Sequence, residues 1–136
     1  MEPIILAAVA FVRDGRLLTV RKAGTTMFLL PGGKLEPGET PLEAARREVS
    51  EEVALDVAAA DLRLLGEFAA PAANEPGRSV VSTVYAADLP GEPVRSGEIA
   101  ELRWSSLATP EDDLAPLLRD HVVPALTVSP SPAAGS

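Results

Sequence analysis

A mixed-sheet α/β layer fold is the architecture this sequence predicts, and three observations predict it. Strand-like apolar stretches open the chain and return in its middle, two helical patterns are interleaved with them, and Gly/Pro-rich turn signals separate the pieces. At 136 residues the chain is long enough for one core and too short for two ordinary domains. A single domain is therefore expected over residues 1–128, with the Pro/Ala/Ser/Gly stretch 129–136 as a disordered tail without core residues.

Ile4 to Val12, then Asp14-Gly15, then Leu17, Leu18 and Val20 spell two strands joined by a hairpin, because Asp-Gly readily supplies the positive φ angles of a tight turn. Met27 to Leu30 reads as a short strand running into the loop Pro31-Gly32-Gly33. Thr40, Pro41 and Glu43 form a helix start: a capping residue, proline at the first position, and the acid that completes a capping box. The helix should run from Pro41 to about Val53, burying Leu42, Ala45, Val49 and Val53 while Arg46, Arg47, Glu48, Glu51 and Glu52 lie elsewhere on its circumference. Strands are predicted at Leu62 to Phe68, Ser79 to Ala87 and Ile99 to Trp104. A second capping pattern at Thr109 to Asp112 predicts a helix ending near Leu126, nicked at Pro116.

Composition excludes several function classes. The net charge of −8 offers no basic patch for long nucleic acid or an anionic membrane surface, so an anionic small substrate would need a metal bridge. There is no cysteine, which rules out disulfides, thiolate metal sites and cysteine nucleophiles and fits a reducing cytoplasm. The apolar run from Ile4 to Val12 is too short to span a bilayer and follows acidic Glu2, so neither a membrane span nor a signal peptide is expected. The only histidine, His121, has no second histidine for a metal site, and Ser50 and Ser105 sit in no triad motif.

Chemistry concentrates on the first helix. Glu48, Glu51 and Glu52 are three and four residues apart, so they crowd into a narrow arc and repel one another unless something positive sits between them. A hard divalent cation such as Mg²⁺ suits such oxygens and leaves positions for water and phosphate. An exposed acidic helix face would show the same triplet.

The flanking residues add a longer pattern. Gly33, then Glu39, then Arg47-Glu48-Val49-Ser50-Glu51-Glu52-Val53-Ala54-Leu55 resembles the box of the Nudix hydrolase family, matching eight of its nine specified positions. The departure is Ala54, where the family has glycine just past the helix. The resemblance implies an α/β/α sandwich with a loop–helix–loop catalytic motif. It implies hydrolysis of a pyrophosphate bond in nucleoside di- or triphosphates or related derivatives, with Mg²⁺ as cofactor and Mn²⁺ able to substitute. Glu48, Glu51, Glu52 and the Gly32 carbonyl would hold the metal; Arg47 would reach Glu39 and brace the loop. Glu48, Glu52 and Glu98 are the candidates to take a proton from water. Lys34, Arg21 and Lys22 are candidate phosphate contacts and Phe28, Phe68 and Tyr85 candidate base contacts, although such residues more often serve as solvated charges and core. The implied partner is a small nucleotide, with a homodimer left open. The competing reading is a nucleotide-binding regulatory module on the same fold that binds without turnover.

Overall fold

Strand β1 (Ile4–Arg13) is apolar along most of its length because helices cover both of its faces, so both sets of alternating side chains are buried. Ala7, Val9 and Phe11 enter one core cluster with Ala44, Ala45, Val49 and Val53 of helix α1 (Pro41–Val53). Ile4, Ala8 and Ala10 enter a second with Leu114, Leu118, Val122 and Val123. The sheet thus lies between two helical layers, the α/β/α arrangement. The structure, a computed structural model, describes residues 2–128; the expectation for the tail at 129–136 lies outside them. No helix among the described residues is long and apolar enough to cross a membrane.

The first hairpin forms through Asp14 and Gly15, with φ of 54° and 75°, and leads into β2 (Arg16–Lys22). On its other edge β1 pairs in parallel with β5 (Ser79–Ala87), whose far neighbour is the antiparallel β4 (Arg63–Pro71). The edge strand β6 (Ile99–Ser106) lies antiparallel to β2. Along the edge that carries β2, the start of β1 pairs instead with β3 (Gly32–Lys34), placing Ala8 opposite Gly32 and Leu6 opposite Lys34.

The position of β3 corrects one expectation. Met27–Leu30 makes no regular ladder; Phe28 and Leu29 contribute only isolated bridges, to Leu114 and Val20. The ladder lies beyond Pro31, whose carbonyl accepts from Val9 N, because glycine can approach β1 closely: a Cβ on Gly32 would lie 2.6 Å from Ala8 Cα.

Helix α1 spans the predicted residues. Thr40 Oγ1 accepts from Glu43 N at 3.1 Å, and the Glu43 carboxylate accepts from Thr40 N at 2.9 Å. Its buried stripe differs from the expected one: Leu42 is only half-buried, while Ala44 and Glu52 are buried. The helix ends at Ala54, which adopts the left-handed conformation (φ 59°, ψ 36°) usually given to glycine. Its last carbonyls are satisfied from a distant loop, Glu52 O by Ser96 N at 3.0 Å and Val53 O by Val94 N at 2.9 Å.

The C-terminal helix departs further. The capping signal at Thr109 is not used; Thr109 N bonds Ser106 Oγ instead, and the chain passes through bends and a turn at Asp112–Asp113 before helical winding begins at Pro116. A wide π turn at Leu118–Val122 then precedes α2 (Val123–Val128). Pro124 has no N–H and its ring would clash with the carbonyl four residues back, and Val123 N bonds back to Leu118 O across five residues.

Because an L-residue in the left-handed region costs on the order of 1 kcal/mol, Ala54→Gly is expected to raise the urea-unfolding free energy by up to about 1 kcal/mol, and Ala54→Val to lower it. Equal midpoints for the native chain and both variants would contradict that account.

Candidate active site

Four segments meet at one end of the sheet: the last turns of α1, the Gly32–Lys34 strand, the end of β2, and the turn at 96–98. They bound a cleft of about 790 Å³ whose lining includes Lys22, Gly33, Lys34, Glu48, Glu51, Glu52, Gly97 and Glu98. The loop after β4 adds Ala72, Ala73, Asn74 and Glu75 to its lining.

Glu52 is the deepest acid, 6% exposed. Gly32 N donates to its Oε1 at 3.1 Å, and Lys22 Nζ stands 4.0 Å from Oε2. Burial, opposed by the Gly32 hydrogen bond and by Lys22 and reinforced by neighbouring Glu48, pushes its carboxyl up to about 8. Glu48 lies against Gly33, where a Cβ would come within 2.6 Å of the carboxyl carbon, so glycine leaves the room this side chain fills. Glu51 is on the rim with 59% of its side chain exposed.

Arg47 organises the acids from outside. Its Nε and Nη2 donate to Glu39 at 2.7 and 2.9 Å, a bidentate pair, and Nη2 also donates to Lys34 O at 3.1 Å. Nη1 donates to Glu48 Oε2 at 2.9 Å and lies 3.5 Å from Glu51 Oε1. One guanidinium thereby ties the loop before α1, strand β3 and the helix acids together. The hydrogen bonds from Arg47 hold the Glu39 carboxyl down at about 2, and Glu39 in turn holds the Arg47 guanidinium protonated more firmly than usual.

Glu98 is exposed on the rim, in the turn whose Ser96 N caps α1; its carbonyl accepts from Ala23 N at 2.9 Å. Lys34 also faces the cleft. Two expected contacts lie elsewhere. Phe28 is 3% exposed in the second core, beneath the Arg103 guanidinium at 3.6 Å from its ring centroid, and Arg103 is fixed by Asp113 at 2.7 and 3.1 Å. Arg21 is engaged by Glu101 and the Thr25 carbonyl and is not among the residues lining the cleft. Conversely, Lys22 stands nearer the acids than the sequence suggested. Its place was legible in the alternation of β2, where Leu18 and Val20 face α1 and Lys22 follows in phase.

The geometry defines a class: an α/β/α domain with an acidic cleft built on a loop–helix–loop, braced by an arginine–carboxylate pair. A family model for the NUDIX domain matches residues 3–126, and the chain belongs to that family. Over 53 residues it is 49% identical to an RNA pyrophosphohydrolase of Halorhodospira halophila, covering 39% of this chain and 28% of the relative. Over 104 residues it is 30% identical to an ADP-ribose pyrophosphatase of Methanocaldococcus jannaschii, covering 74% and 60%. The chain thus spans less than two thirds of the length of either relative. The crystal structure of a MutT NUDIX hydrolase from Burkholderia pseudomallei is similar with a TM-score of 0.74 and 28% identity, over 93% of this chain and 98% of that one.

The Glu39 carboxyl, lowered from 4.5 to about 2 by folding, contributes stability that is complete above its unfolded value and is lost as pH falls from about 4.5 towards 2. Glu39→Gln should therefore lower the urea midpoint at neutral pH, with the gap to the native chain closing through that acid window. A gap that stays constant down to pH ~2 would contradict the pairing.

Proposed function

We propose that the chain is a divalent-metal-dependent pyrophosphohydrolase, using water to cleave a pyrophosphate bond in nucleoside di- or triphosphates or related nucleotide derivatives. The observation that carries this reading is the burial of Glu52 beside Glu48 on the cleft floor, with the Gly32 N–H aimed at one and Gly33 making room for the other.

The donor set fits Mg²⁺, with Mn²⁺ as a substitute. Two crowded carboxylates and a neighbouring backbone carbonyl are hard oxygen donors, and Lys22 at 4.0 Å does not by itself neutralise them. Glu48, Glu52 and the Gly32 carbonyl would hold the ion, with Glu51 joining from the rim. As the side chains stand, no three acidic or histidine groups among the described residues are gathered around one point, so Glu51 must turn inward to take part. When bound, the ion neutralises pyrophosphate oxygens and makes water more acidic.

The chain's own residues supply the rest. Lys22 and Lys34, which line the same cleft as the acids, offer cationic contacts to phosphate oxygens. Glu48, Glu52 and Glu98 line the space where the water would stand, and one of them takes its proton as the water oxygen attacks phosphorus. The leaving group departs as a phosphate-containing product and the remainder as a nucleoside monophosphate. Arg47 and Glu39 keep the helix acids aimed.

Release of phosphate and nucleotide should be measured with Mg²⁺ or Mn²⁺ across nucleoside triphosphates, sugar nucleotides, dinucleoside polyphosphates and oxidised nucleotides. Turnover of one class, falling by about 100-fold or more in Glu52→Gln, is the expected result. Saturable metal-dependent binding without turnover would move the chain to the regulatory reading.

Gly33→Ala gives a second test. The three atoms nearest the added Cβ are the carboxyl end of the Glu48 side chain, which can move aside, so the fold should lose no more than about 0.5 kcal/mol. Hydrolysis should nonetheless fall about 10- to 100-fold, as expected when a ligand is mis-aimed. Unchanged turnover would remove Glu48 from the site.

A further inference from the structure

One acidic residue lining the cleft outside the helix has no part in the chemistry above. Glu75 sits in the loop between β4 and β5 and lines the cleft beside Asn74. We propose that Glu75 selects ribonucleotides over 2′-deoxyribonucleotides by accepting hydrogen bonds from the vicinal hydroxyls of the substrate ribose. This rests on the pyrophosphohydrolase reading for the identity of the ligand.

The shared lining of the cleft supports it. Gly33 abuts the Glu48 carboxyl, and Lys34, which faces the other side of β3, reaches with Nζ to 4.0 Å from Glu75 Oε2. The acid cluster and Glu75 line the same cleft, so a nucleotide with its phosphates at the acids has its sugar as the next group to meet a polar residue of the lining. Ile4, Leu6, Val80, Ala72 and Ala73 form the aliphatic part of the lining, an apolar surface for the faces of a base.

The chemistry of the polar residues narrows the choice. Thr25 and Asn74 can each donate as well as accept, and Lys34 only donates. Glu75 as a carboxylate only accepts, and a vicinal diol presents two adjacent donors to its two oxygens. The 2′-deoxy sugar presents one. Arg78 Nη1 lies 3.8 Å from Oε1 and Lys34 4.0 Å from Oε2, both beyond hydrogen-bond length, so both oxygens remain open to a ligand among the described residues.

Glu75 is also presented from an ordered turn. Arg78 N donates to Glu75 O at 3.1 Å, Ala72 N to Arg78 O at 2.9 Å, and Arg78 Nη2 to Glu2 O at 3.0 Å, tying the loop to the start of β1. A carboxylate held this way loses less freedom when it binds.

The test compares kcat and KM for ATP against 2′-dATP and for GTP against 2′-dGTP, in the native chain and in Glu75→Gln. It is paired with calorimetric binding of ADP and 2′-dADP to the same proteins with Mg²⁺. The native chain should favour the ribose form by about 10-fold or more with both bases, and the variant should shrink that ratio to roughly 3-fold or less, through KM. A native ratio near unity, or a ratio unchanged in the variant, overturns the assignment. If nothing is hydrolysed but ADP binds more tightly than 2′-dADP in a Glu75-dependent way, the sugar assignment stands and the hydrolase reading falls. Failure of both nucleotides to bind overturns both.

Discussion

Keeping the Glu52 carboxylate out of water sets the terms for the loops around it, because a nearly buried acid must be matched by donors, by positive charge or by a proton. The match is partial: a backbone N–H from Gly32 at 3.1 Å and an ammonium at 4.0 Å, with a second carboxylate alongside. Gly32 can reach Glu52 only because β3 lies tight against β1, where a side chain would collide with Ala8. Gly33 must likewise lack a side chain so that Glu48 can fit. The two glycines and two acids are therefore one arrangement, and the Arg47–Glu39 pair keeps its two halves in register from the surface.

Much of that arrangement was legible in the sequence, because it rests on local rules. Asp14-Gly15 dictated its turn, and Thr40 to Glu43 dictated the start of α1 through hydrogen bonds that close within four residues. The resemblance to the box implies the Arg47–Glu39 pair, and the two side chains meet in a bidentate contact. Glu52 lies outside the expected stripe of Leu42, Ala45, Val49 and Val53, yet it stands three residues after Val49 and so shares the buried phase of the helix.

What was not legible depends on tertiary contacts. The strand at Gly32–Lys34 exists because β1 offers an edge there, a fact absent from its two glycines and lysine. The capping signal at Thr109 gave way because Leu114 docks beside Phe28 and Asp113 holds Arg103, which keeps that stretch out of a helix until Pro116. The wall at Ala72 to Glu75 carries no local signature; its place follows from β4 and β5 reaching the same end of the sheet as α1. The left-handed Ala54 shows the opposite case, a position where glycine would suit the backbone and the capping loop at 94–96 allows another residue.

This division matters for function. The acids lie on the loop–helix–loop, while other residues lining the cleft come from loops outside it. The relatives that match this chain carry names with different substrates, an RNA pyrophosphohydrolase and an ADP-ribose pyrophosphatase, so substrate preference has to be sought in the surrounding walls of the cleft.

The most direct test of the central claim, that Glu52 and Glu48 form a divalent-cation site, is the thermal unfolding midpoint as a function of Mg²⁺ concentration in the native chain and in Glu52→Gln. Binding to the folded state alone must raise the native midpoint with increasing Mg²⁺, and the rise should vanish in the variant. A native midpoint indifferent to Mg²⁺, or the same rise in both proteins, would contradict the claim.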